Sequence, residues 1–564
     1  MSTETSPELH SHYYLHNFLK LCQTVEEQYF DILAPDERNF LQQFQSLDQS
    51  AQCLYVRLIS RVGPWFRESK LSYPEITGLE KAVAALLETG AAMAALGLTV
   101  EELGVLFTST ELQLVYRDLL PGPKITGKAR LLQAVDELCL AEDVHLSLLT
   151  GTREEQVITP VGVGHVQLLQ ILFFGNRHQG LTDFVLSDLG LARYYPYKLN
   201  PEHRLFTCRE ALDEYLDCCE FEDIFYQLLE LDDEEGLLEL ADHMVHRQIK
   251  FPVGLRRWQR AWNTVAREME RRQQFDLAWQ LYERSDRHPS RERRARILEA
   301  QQDWTGVVTL CETMVSAPWC EAEREAANTI LGRARRKLGG PMIRRSADQF
   351  REQKLKLVPH SDCVERDAAA SLHDRWHSVH FVENGLMNTL FGLAFWEQIF
   401  ADVPGAFHNP YQGAPRDMYD GEFVENRKVA IQRWLQELRR ASLPEVLMSN
   451  YRRYQGYQCH WVDWALVDES LLQTALQMIP ADHLFAIWQR QLFDPAQNSS
   501  GFPDLIAFAD PAISQPDNDN PDSYCLIEVK GPGDSLQNNQ KRWLRYFSQH
   551  SIPAAVAWVE WERA

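Results

Sequence analysis

Three charged residues near the C-terminus have the types and spacing of a metal-dependent hydrolytic site: Asp504, Glu528 and Lys530. Asp504 precedes one short apolar run, from Leu505 to Phe508, and Glu528 and Lys530 lie two residues apart at the end of a second, from Tyr524 to Val529. Such runs, bounded by Gly, Pro or Asp, are typical of β-strands, on which residues two apart share a face. If the strands are neighbours, two carboxylates and one ammonium converge. Close carboxylates repel one another unless a divalent cation lies between them, and oxygen ligands suit Mg²⁺ or Mn²⁺.

The spacing alone leaves a second interpretation open, in which Glu528 and Lys530 form a solvent-exposed ion pair on a surface hairpin. Three Pro-Asp pairs lie within the 25 or so residues before Glu528, and only the one ending at Asp504 leads directly into an apolar run. The other two lie in a loop rich in Asp, Asn and Pro, from Asp510 to Ser523. This context favours the metal site.

The sequence that follows Lys530 predicts the remaining elements of a small α/β core. Gly-Pro-Gly-Asp indicates a turn, a helix is predicted from about Ser535 to Gln549, and a last apolar strand from Ala554 to Val559. The order strand, strand, helix, strand, with acids at the strand ends, resembles the core of the PD-(D/E)xK nuclease superfamily, in its VRR-NUC branch.

Length and composition limit the class of protein. A chain of 564 residues is long enough for three or four domains. It has no run of 18 apolar residues and no signal-peptide core at its polar N-terminus, so we expect no membrane association and a cytoplasmic location. The 11 cysteines include no C-x-x-C pair, which points to a reducing setting without a zinc ribbon.

The net charge of -23 is unusual for a protein that binds nucleic acid, but the charge is unevenly distributed. Residues 251–360 contain 22 Lys and Arg against 14 Asp and Glu. A local positive excess in an acidic chain is expected where one face meets a polyanion and the rest repels it.

Residues 1–95 are predicted to form a helical region that binds DNA. Within it, the stretch from Leu54 to Ile76 mixes aromatic residues with four cations: Arg57, Arg61, Arg67 and Lys70. Such a mixture can hold a DNA backbone and stack on end base pairs. A helix with a solvated basic stripe is the alternative.

Residues 96–145 are predicted to form two helices joined by a loop with Lys124 and, at its end, Lys128. Cations at a helix N-terminus favour phosphate, because the backbone N–H groups and the helix dipole act with them. The pair loosely resembles a SAP-like DNA-binding hairpin, and an ordinary helical hairpin is the alternative.

Residues 146–365 are predicted to be helical, with two or three imperfect units that resemble tetratricopeptide hairpins. Arginines such as Arg257, Arg293 and Arg333 concentrate here and could hold a duplex, since Arg binds phosphate through two hydrogen bonds. A purely structural role for these arginines is the alternative. Residues 366–564 are predicted to form the nuclease domain. The fold class is therefore multidomain and mostly α, ending in an α/β nuclease core.

A strongly apolar helix is predicted from Val382, and it places Glu383 in its first turn. A carboxylate there points at whatever lies beyond the helix N-terminus. Further along the chain, Arg427 begins a predicted basic helix that could contact substrate.

Several segments together closely resemble the Fanconi-associated nuclease family in its bacterial form. They are L-Y-V-R-L, E-N-G-L-M-N-T-L-F-G-L-A-F-W-E-Q-I-F, N-P-Y-Q-G-A-P-R-D-M, G-F-P-D-L and I-E-V-K-G-P-G-D-S-L, and they follow the family's order over most of the chain. The resemblance implies a structure-specific, metal-dependent DNA nuclease that cuts near 5′ flaps. It also implies a 5′-to-3′ exonuclease activity, a role in repair of DNA interstrand crosslinks and association with the bacterial nucleoid.

The resemblance also assigns roles to individual residues. It implies that Glu383, Asp504 and Glu528 bind the metal, together with the backbone carbonyl of Val529. Lys530 would orient or activate the attacking water. Gln540, at the start of the following helix, would hydrogen-bond near the site.

The chain departs from the family pattern at two places. The interval from Asp504 to Glu528 is long, and residues just before G-F-P-D that are basic in relatives are here Asn498, Ser499 and Ser500. The second departure puts firm anchoring of a terminal 5′-phosphate in doubt.

Two other functions remain open from the sequence. One is a junction-resolving or defence nuclease of the same superfamily. The other is a non-catalytic helical-repeat scaffold that binds DNA, against which the retention of Glu383, Asp504, Glu528 and Lys530 argues.

Overall fold

The computed structural model describes residues 11–61, 63–95, 98–117, 120, 125–139, 156–179, 193–341, 348–361, 363–419, 421–510 and 523–562. The chain divides into two compact units, Met1–Ala192 and Arg193–Ala564. The finer boundaries near residues 95, 145 and 365 stay predictions. No helix in the described ranges combines the length and the hydrophobicity needed to cross a bilayer.

The first unit is mainly helical. Its helices are α1 (Tyr13–Tyr29), α2 (Pro35–Ser46), α3 (Gln49–Ile59), α4 (Leu79–Glu88), α5 (Val100–Leu106), α6 (Ser109–Val115), α7 (Lys128–Cys139) and α8 (Val163–Phe174). A small antiparallel sheet joins β1 (Phe66–Arg67), β2 (Ala92–Ala94) and β3 (Val157–Pro160), with β3 in the middle. These strands were not predicted from the sequence, because β1 and β2 each form only by pairing with β3, which is distant in sequence.

The second unit begins with β4 (Arg193–Tyr194) and a run of helices. They are α9 (Arg209–Glu230), α10 (Glu234–His246), α11 (Pro252–Arg271), α12 (Phe275–Glu283), α13 (Ser290–Ala300), α14 (Trp304–Ser316) and α15 (Glu321–Lys337). Apolar residues of α9 to α13 share one core, and those of α13 to α15 share another. The run is helical as predicted, whereas its likeness to tetratricopeptide repeats stays a prediction.

The rest of the second unit alternates helices with the strands of the main sheet. The strands of that sheet are β5 (Glu352–Leu357), β6 (Ser378–Phe381), β8 (Leu505–Phe508), β9 (Tyr524–Lys530) and β10 (Ala554–Trp561). Strand β7 (Tyr457–Gln458) is separate from this sheet and pairs in parallel with β4. The helices are α16 (Val364–Leu372), α17 (Gly385–Ala394), α18 (Trp396–Ile399), α19 (Phe423–Asn426), α20 (Lys428–Leu438), α21 (Leu443–Tyr454), α22 (Glu469–Met478), α23 (Ala481–Phe493) and α24 (Asn538–Gln549).

The main sheet has the order β5-β10-β9-β8-β6 in the described residues. Strands β5, β10 and β9 run parallel, and β8 pairs antiparallel with both β9 and β6. Every residue of β8 and β9 is buried. One face packs on a large core that includes residues of α17, α22, α23 and α24, and the other on α16. Burial on both faces explains why these strands are nearly continuous apolar runs.

Candidate active site

Strand register brings Asp504 and Glu528 together. Leu505 pairs with Ile527 in the antiparallel β8–β9 ladder, so the next position along each strand sets Asp504 beside Glu528. Lys530 projects from the same face of β9 as Glu528, because it lies two residues further along. The two strands are therefore neighbours, which is the condition under which the sequence predicts that the carboxylates converge.

Glu383 reaches this point through the edge strand β6. Phe381 pairs with Leu505, and the N–H groups of Val382 and Glu383 both donate to the carbonyl oxygen of Asp504, at 2.8 and 2.9 Å. The prediction that Glu383 lies in the first turn of the helix is wrong, since α17 begins at Gly385. Glu383 instead occupies the preceding turn with a φ of +35°, in the left-handed region. Its main chain is thereby held directly against Asp504.

Glu528 is fully buried and lies beside Lys530. The Lys530 Nζ lies 2.7 Å from Glu528 Oε1. Neither carboxylate oxygen accepts a hydrogen bond of good geometry from the described part of the chain. The pKa of Glu528 is raised to about 7, mainly by burial and also by the charge of Asp504, while Lys530 acts in the opposite direction. The predicted pair is thus not the solvent-exposed one of the alternative interpretation.

Asp504 is partly buried and hydrogen-bonded to the neighbouring strand. Its Oδ2 accepts the backbone N–H of Val529 at 2.8 Å. Burial raises the pKa of Asp504, while the Val529 N–H and the charge of Lys530 act in the opposite direction. The charges of Glu365 and Glu383 add to the rise. Asp504 therefore lies in a group of carboxylates that makes its own ionisation costly.

The chemistry of this donor set fits a hard divalent cation. The pKa values of Asp504 and Glu528 are raised, and the buried Glu528 carboxyl lacks well-aligned hydrogen bonds. A bound cation would stabilise the charged form of both groups. In the described residues, however, no three His, Cys, Asp or Glu side chains converge closely enough to enclose a metal. The Glu528 carboxylate faces Lys530 and that of Glu383 faces Asn384. Side-chain rotation is therefore required before the carboxylates can share one ion.

Two residues at the site were not predicted from the sequence. Glu365, in the first turn of α16, acts on Asp504 electrostatically and accepts a hydrogen bond from the Cys363 thiol at 3.0 Å. Asn384 donates to Glu383 through its side-chain amide. The acidic residue at a helix start was a usable signal for Glu365, whereas nothing in the sequence pattern distinguishes Asn384.

Two of the arginines predicted to bind substrate are buried and paired with carboxylates. Arg67 donates from both Nη atoms to Glu111, and Arg427 donates to Asp417 at 2.6 Å. Both side chains are almost inaccessible to solvent. The prediction that they contact DNA is therefore replaced by a structural role. If either arginine turned away to bind DNA, its carboxylate partner would remain as an unpaired, largely buried charge.

Arg57 is also held within the protein. Its guanidinium donates to Glu75 and lies 3.9 Å from the centroid of the Tyr14 ring. About a third of the side chain stays exposed, so a contact with DNA would have to share the arginine with Glu75.

The other candidate substrate residues differ in exposure. Arg61, Lys70 and Lys128 are exposed, the last at the first position of α7. Lys124 lies outside the described residues. Gln540 is half-buried, and its side chain accepts the N–H of Gln537 at 2.8 Å as part of a helix cap. These three exposed cations, one arginine and two lysines, are accessible to phosphate, whereas the two buried arginines are not.

The arginines of the helical run mostly contact carboxylates of the same run. Arg257 pairs with Glu222, Arg293 with Glu270 and Arg333 with Glu299. Further ion pairs involve Arg256, Arg267, Arg271, Arg272, Arg294, Arg296 and Arg335. The pairing offsets much of the local positive charge and favours the structural alternative for these arginines.

Two family models match the chain. The model described as "FAN1, HTH domain" matches residues 12–92, and the model described as "VRR-NUC domain" matches residues 438–561. The second covers β8, β9, α24 and β10 and leaves Glu383 outside the matched stretch.

Full-length relatives carry the same assignment. The Fanconi-associated nuclease 1 homolog of Pseudomonas aeruginosa is 35% identical over 97% of this chain and 96% of its own length. That of Arabidopsis thaliana is 24% identical over 94% of this chain and 64% of its own length. A crystal structure described as paFAN1 bound to 2nt 5'flap DNA with gap has a TM-score of 0.80 and 34% identity, and covers 98% of this chain and 99% of its own. The chain therefore belongs to the Fanconi-associated nuclease family and is a DNA nuclease.

Proposed function

We propose that this chain is a structure-specific, metal-dependent nuclease that hydrolyses phosphodiester bonds near 5′ flaps and also degrades DNA in the 5′-to-3′ direction. The observation that carries the chemistry is the fully buried Glu528 carboxyl, beside Asp504 and 2.7 Å from Lys530. The observation that supports the substrate is the similarity to paFAN1, which was solved with 5'flap DNA. By the family name, the process served is repair of DNA interstrand crosslinks, and we expect the protein to act at the bacterial nucleoid.

Each residue of the site has a proposed role. Glu383, Asp504, Glu528 and the Val529 carbonyl would hold Mg²⁺ or Mn²⁺. Such an ion supplies Lewis-acid polarisation of the phosphate and lowers the pKa of bound water. Lys530 would orient the attacking water and add fixed positive charge near the scissile phosphate. Arg61, Lys70 and Lys128 would bind the DNA backbone. Arg57 and Gln540 are weaker candidates for DNA binding, because their side chains already have partners. Lys124 stays a predicted contact.

The decisive experiment maps the products of end-labelled substrates. A 5′-flap duplex, a four-way junction and a linear duplex are incubated with and without Mn²⁺ or Mg²⁺. We expect metal-dependent cuts near the flap and slower attack on the other two. A preference for the four-way junction would instead support the junction-resolving alternative, and binding without cleavage would support the scaffold.

The site assignment needs a matched pair of variants. Asp504→Asn keeps the side-chain shape but removes one carboxylate, and it should abolish cleavage while flap binding persists. Asp534→Asn is the control, because Asp534 is exposed and accepts only the N–H of Gly531 within the described hydrogen bonds. Full activity in Asp504→Asn, or equal loss in both variants, would contradict the assignment.

A further inference from the structure

The side-chain amide of Asn384 connects two parts of the active site. Its Oδ1 accepts the backbone N–H of Phe502 at 3.1 Å, and its Nδ2 donates to Glu383 Oε1 at 3.2 Å. A backbone N–H can only donate, so Phe502 fixes which end of the amide faces the loop and directs the NH₂ group to Glu383. Asn384 therefore ties the Glu383 carboxylate to the loop that carries Asp504.

Glu383 needs such a tie because its side chain is exposed. The backbone of Glu383 is held by the Asp504 carbonyl, at 2.9 Å. This bond fixes the main chain but leaves the side-chain rotamers free, and ordering a glutamate side chain costs conformational entropy. Among the described hydrogen bonds, the bond from Asn384 is the one that restrains the Glu383 carboxylate.

The other end of the tie is rigid. The Phe502 ring stacks on Trp543 with centroids 4.1 Å apart, and the Trp543 indole N–H donates to the Ser500 carbonyl at 3.1 Å. Gly501 has a φ of +87° and lies so close to Asn539 that a Cβ would come within 2.9 Å of the Asn539 backbone. The loop before Asp504 is therefore packed closely against α24, and Asn384 transmits that position to Glu383.

We propose that Asn384 is a positioning residue for the metal site: it holds the Glu383 carboxylate beside the loop that carries Asp504, so that fewer rotamers are searched when this side chain turns to the cation. This inference rests on the proposed role of Glu383 as a metal ligand. An amide donor leaves the carboxylate charged, and it occupies one oxygen while the second can face the cation. Asn384 acts through Glu383 and has no contact with the reacting atoms.

The test compares Asn384→Ala with Asn388→Ala. Asn388 is one turn further along α17 and donates to the Ser499 carbonyl of the same loop, at 2.8 Å. It thus shares the structural task without touching a carboxylate. Asn384 makes no side-chain capping bond to α17, so its removal does not cost the helix a cap. Asn384→Leu, which keeps the volume, serves as the second variant if Asn384→Ala does not fold.

The primary measurement is Mn²⁺ affinity without DNA, by electron paramagnetic resonance titration of free Mn²⁺. Loss of a residue that orients a metal ligand typically lowers metal affinity about 10- to 100-fold. We expect a loss of about 10-fold in Asn384→Ala and none in Asn388→Ala. In cleavage assays, Asn384→Ala should need more Mn²⁺ for half-activation but reach nearly the wild-type kcat at saturation, with an unchanged KM for flap DNA.

A double-mutant cycle separates this inference from the proposed function. If Asn384 acts through Glu383, its removal changes nothing further in a Glu383→Gln background. Wild-type Mn²⁺ affinity in Asn384→Ala, or an equal loss in Asn388→Ala, overturns the positioning role while Glu383→Gln still shows the ligand. Wild-type affinity in Glu383→Gln overturns the ligand assignment itself and the role of Asn384 with it.

Discussion

Replacing Lys530 with methionine tests how the protein tolerates the buried carboxyl of Glu528. The substitution removes an ammonium 2.7 Å from Oε1 and keeps most of the side-chain volume. A buried charge left without its partner costs about 3–5 kcal/mol. However, burial already raises the pKa of Glu528 to about 7, and Lys530 opposes that rise. In Lys530→Met the pKa is higher still, so Glu528 takes up a proton near neutral pH and no unpaired charge remains.

The expected loss in the free energy of unfolding of Lys530→Met follows from this protonation. At pH 6 the variant should lose only about 1 kcal/mol, the net value of one hydrogen bond. The unfolded chain ionises Glu528 near the ordinary pKa of 4.5, whereas the folded chain keeps the proton to about pH 7. Between these values the folded state binds more protons, so the free energy of unfolding falls by at most about 1.4 kcal/mol per pH unit as pH rises. In the variant this fall continues above pH 7, and by pH 8.5 it adds at most about 2 kcal/mol to the loss.

Urea unfolding without added metal, at pH 6, 7 and 8.5, measures these differences. Glu528→Gln, made in the wild type and in Lys530→Met, is the control, because an amide does not titrate and should abolish the extra pH dependence. A loss of more than about 3 kcal/mol at pH 6 in Lys530→Met would show that Glu528 stays charged and unpaired, which contradicts its protonation. An equal loss at pH 6 and 8.5 would likewise contradict a raised pKa of Glu528 in the variant.

Three further variants test other parts of the structure. Glu383→Gly should be more stable to urea than Glu383→Ala by about 0.5–1 kcal/mol, because a φ of +35° favours glycine; equal stabilities would contradict that backbone. Arg67→Leu should lower stability by about 3 kcal/mol, the lower end for a broken buried ion pair because Glu111 is partly exposed, with unchanged affinity for flap DNA; weaker DNA binding in a stable protein would restore a surface role. The pKa of Glu111 is lowered to about 2, chiefly by Arg67 and also by hydrogen bonds from Thr108, so the loss should be present at neutral pH and shrink as pH falls below about 4.5. Gly501→Ala should lower both the thermal midpoint and cleavage, because its Cβ would meet the Asn539 backbone at 2.9 Å; wild-type values in either measurement would argue against so close an approach.

Local pattern was sufficient to predict the strands of the site. Leu505–Phe508 is a strand as predicted, and the Tyr524 strand extends one residue beyond the prediction. Both are apolar runs bounded by residues that interrupt strands, so the signal is contained within a few positions. Asp504 meets Glu528 because the two strands pair directly, a condition that the sequence left open.

Long-range pairing could not be predicted in this way. Glu383 reaches Asp504 because β6 pairs with β8 across more than a hundred intervening residues, and only the family resemblance pointed to it. Asn384 was missed for a related reason, since a neutral amide carries no charge signal and its importance depends on two contacts formed in the fold.

Charge alone also failed to distinguish exposed cations from buried ones. Arg67 and Arg61 are six residues apart in the same basic stretch, yet Arg67 is buried against Glu111 and Arg61 is exposed. Arg427 opens a stretch that looks like a basic helix and is buried against Asp417. A sequence records which residues carry charge, but the position of the compensating carboxylate is a property of the packed structure.

The exposed cations proposed to bind DNA and the carboxylates of the active site lie in different units of the chain. Arg61, Lys70 and Lys128 belong to the unit that ends at Ala192, whereas the carboxylates from Glu383 onward belong to the other. Each phosphate contact contributes to affinity and to its salt dependence, without acting on the bond that is cut. Removing these cations should therefore change how much DNA is bound and leave the cleavage rate of bound DNA intact. Such a result would show that binding and chemistry in this chain can be altered separately.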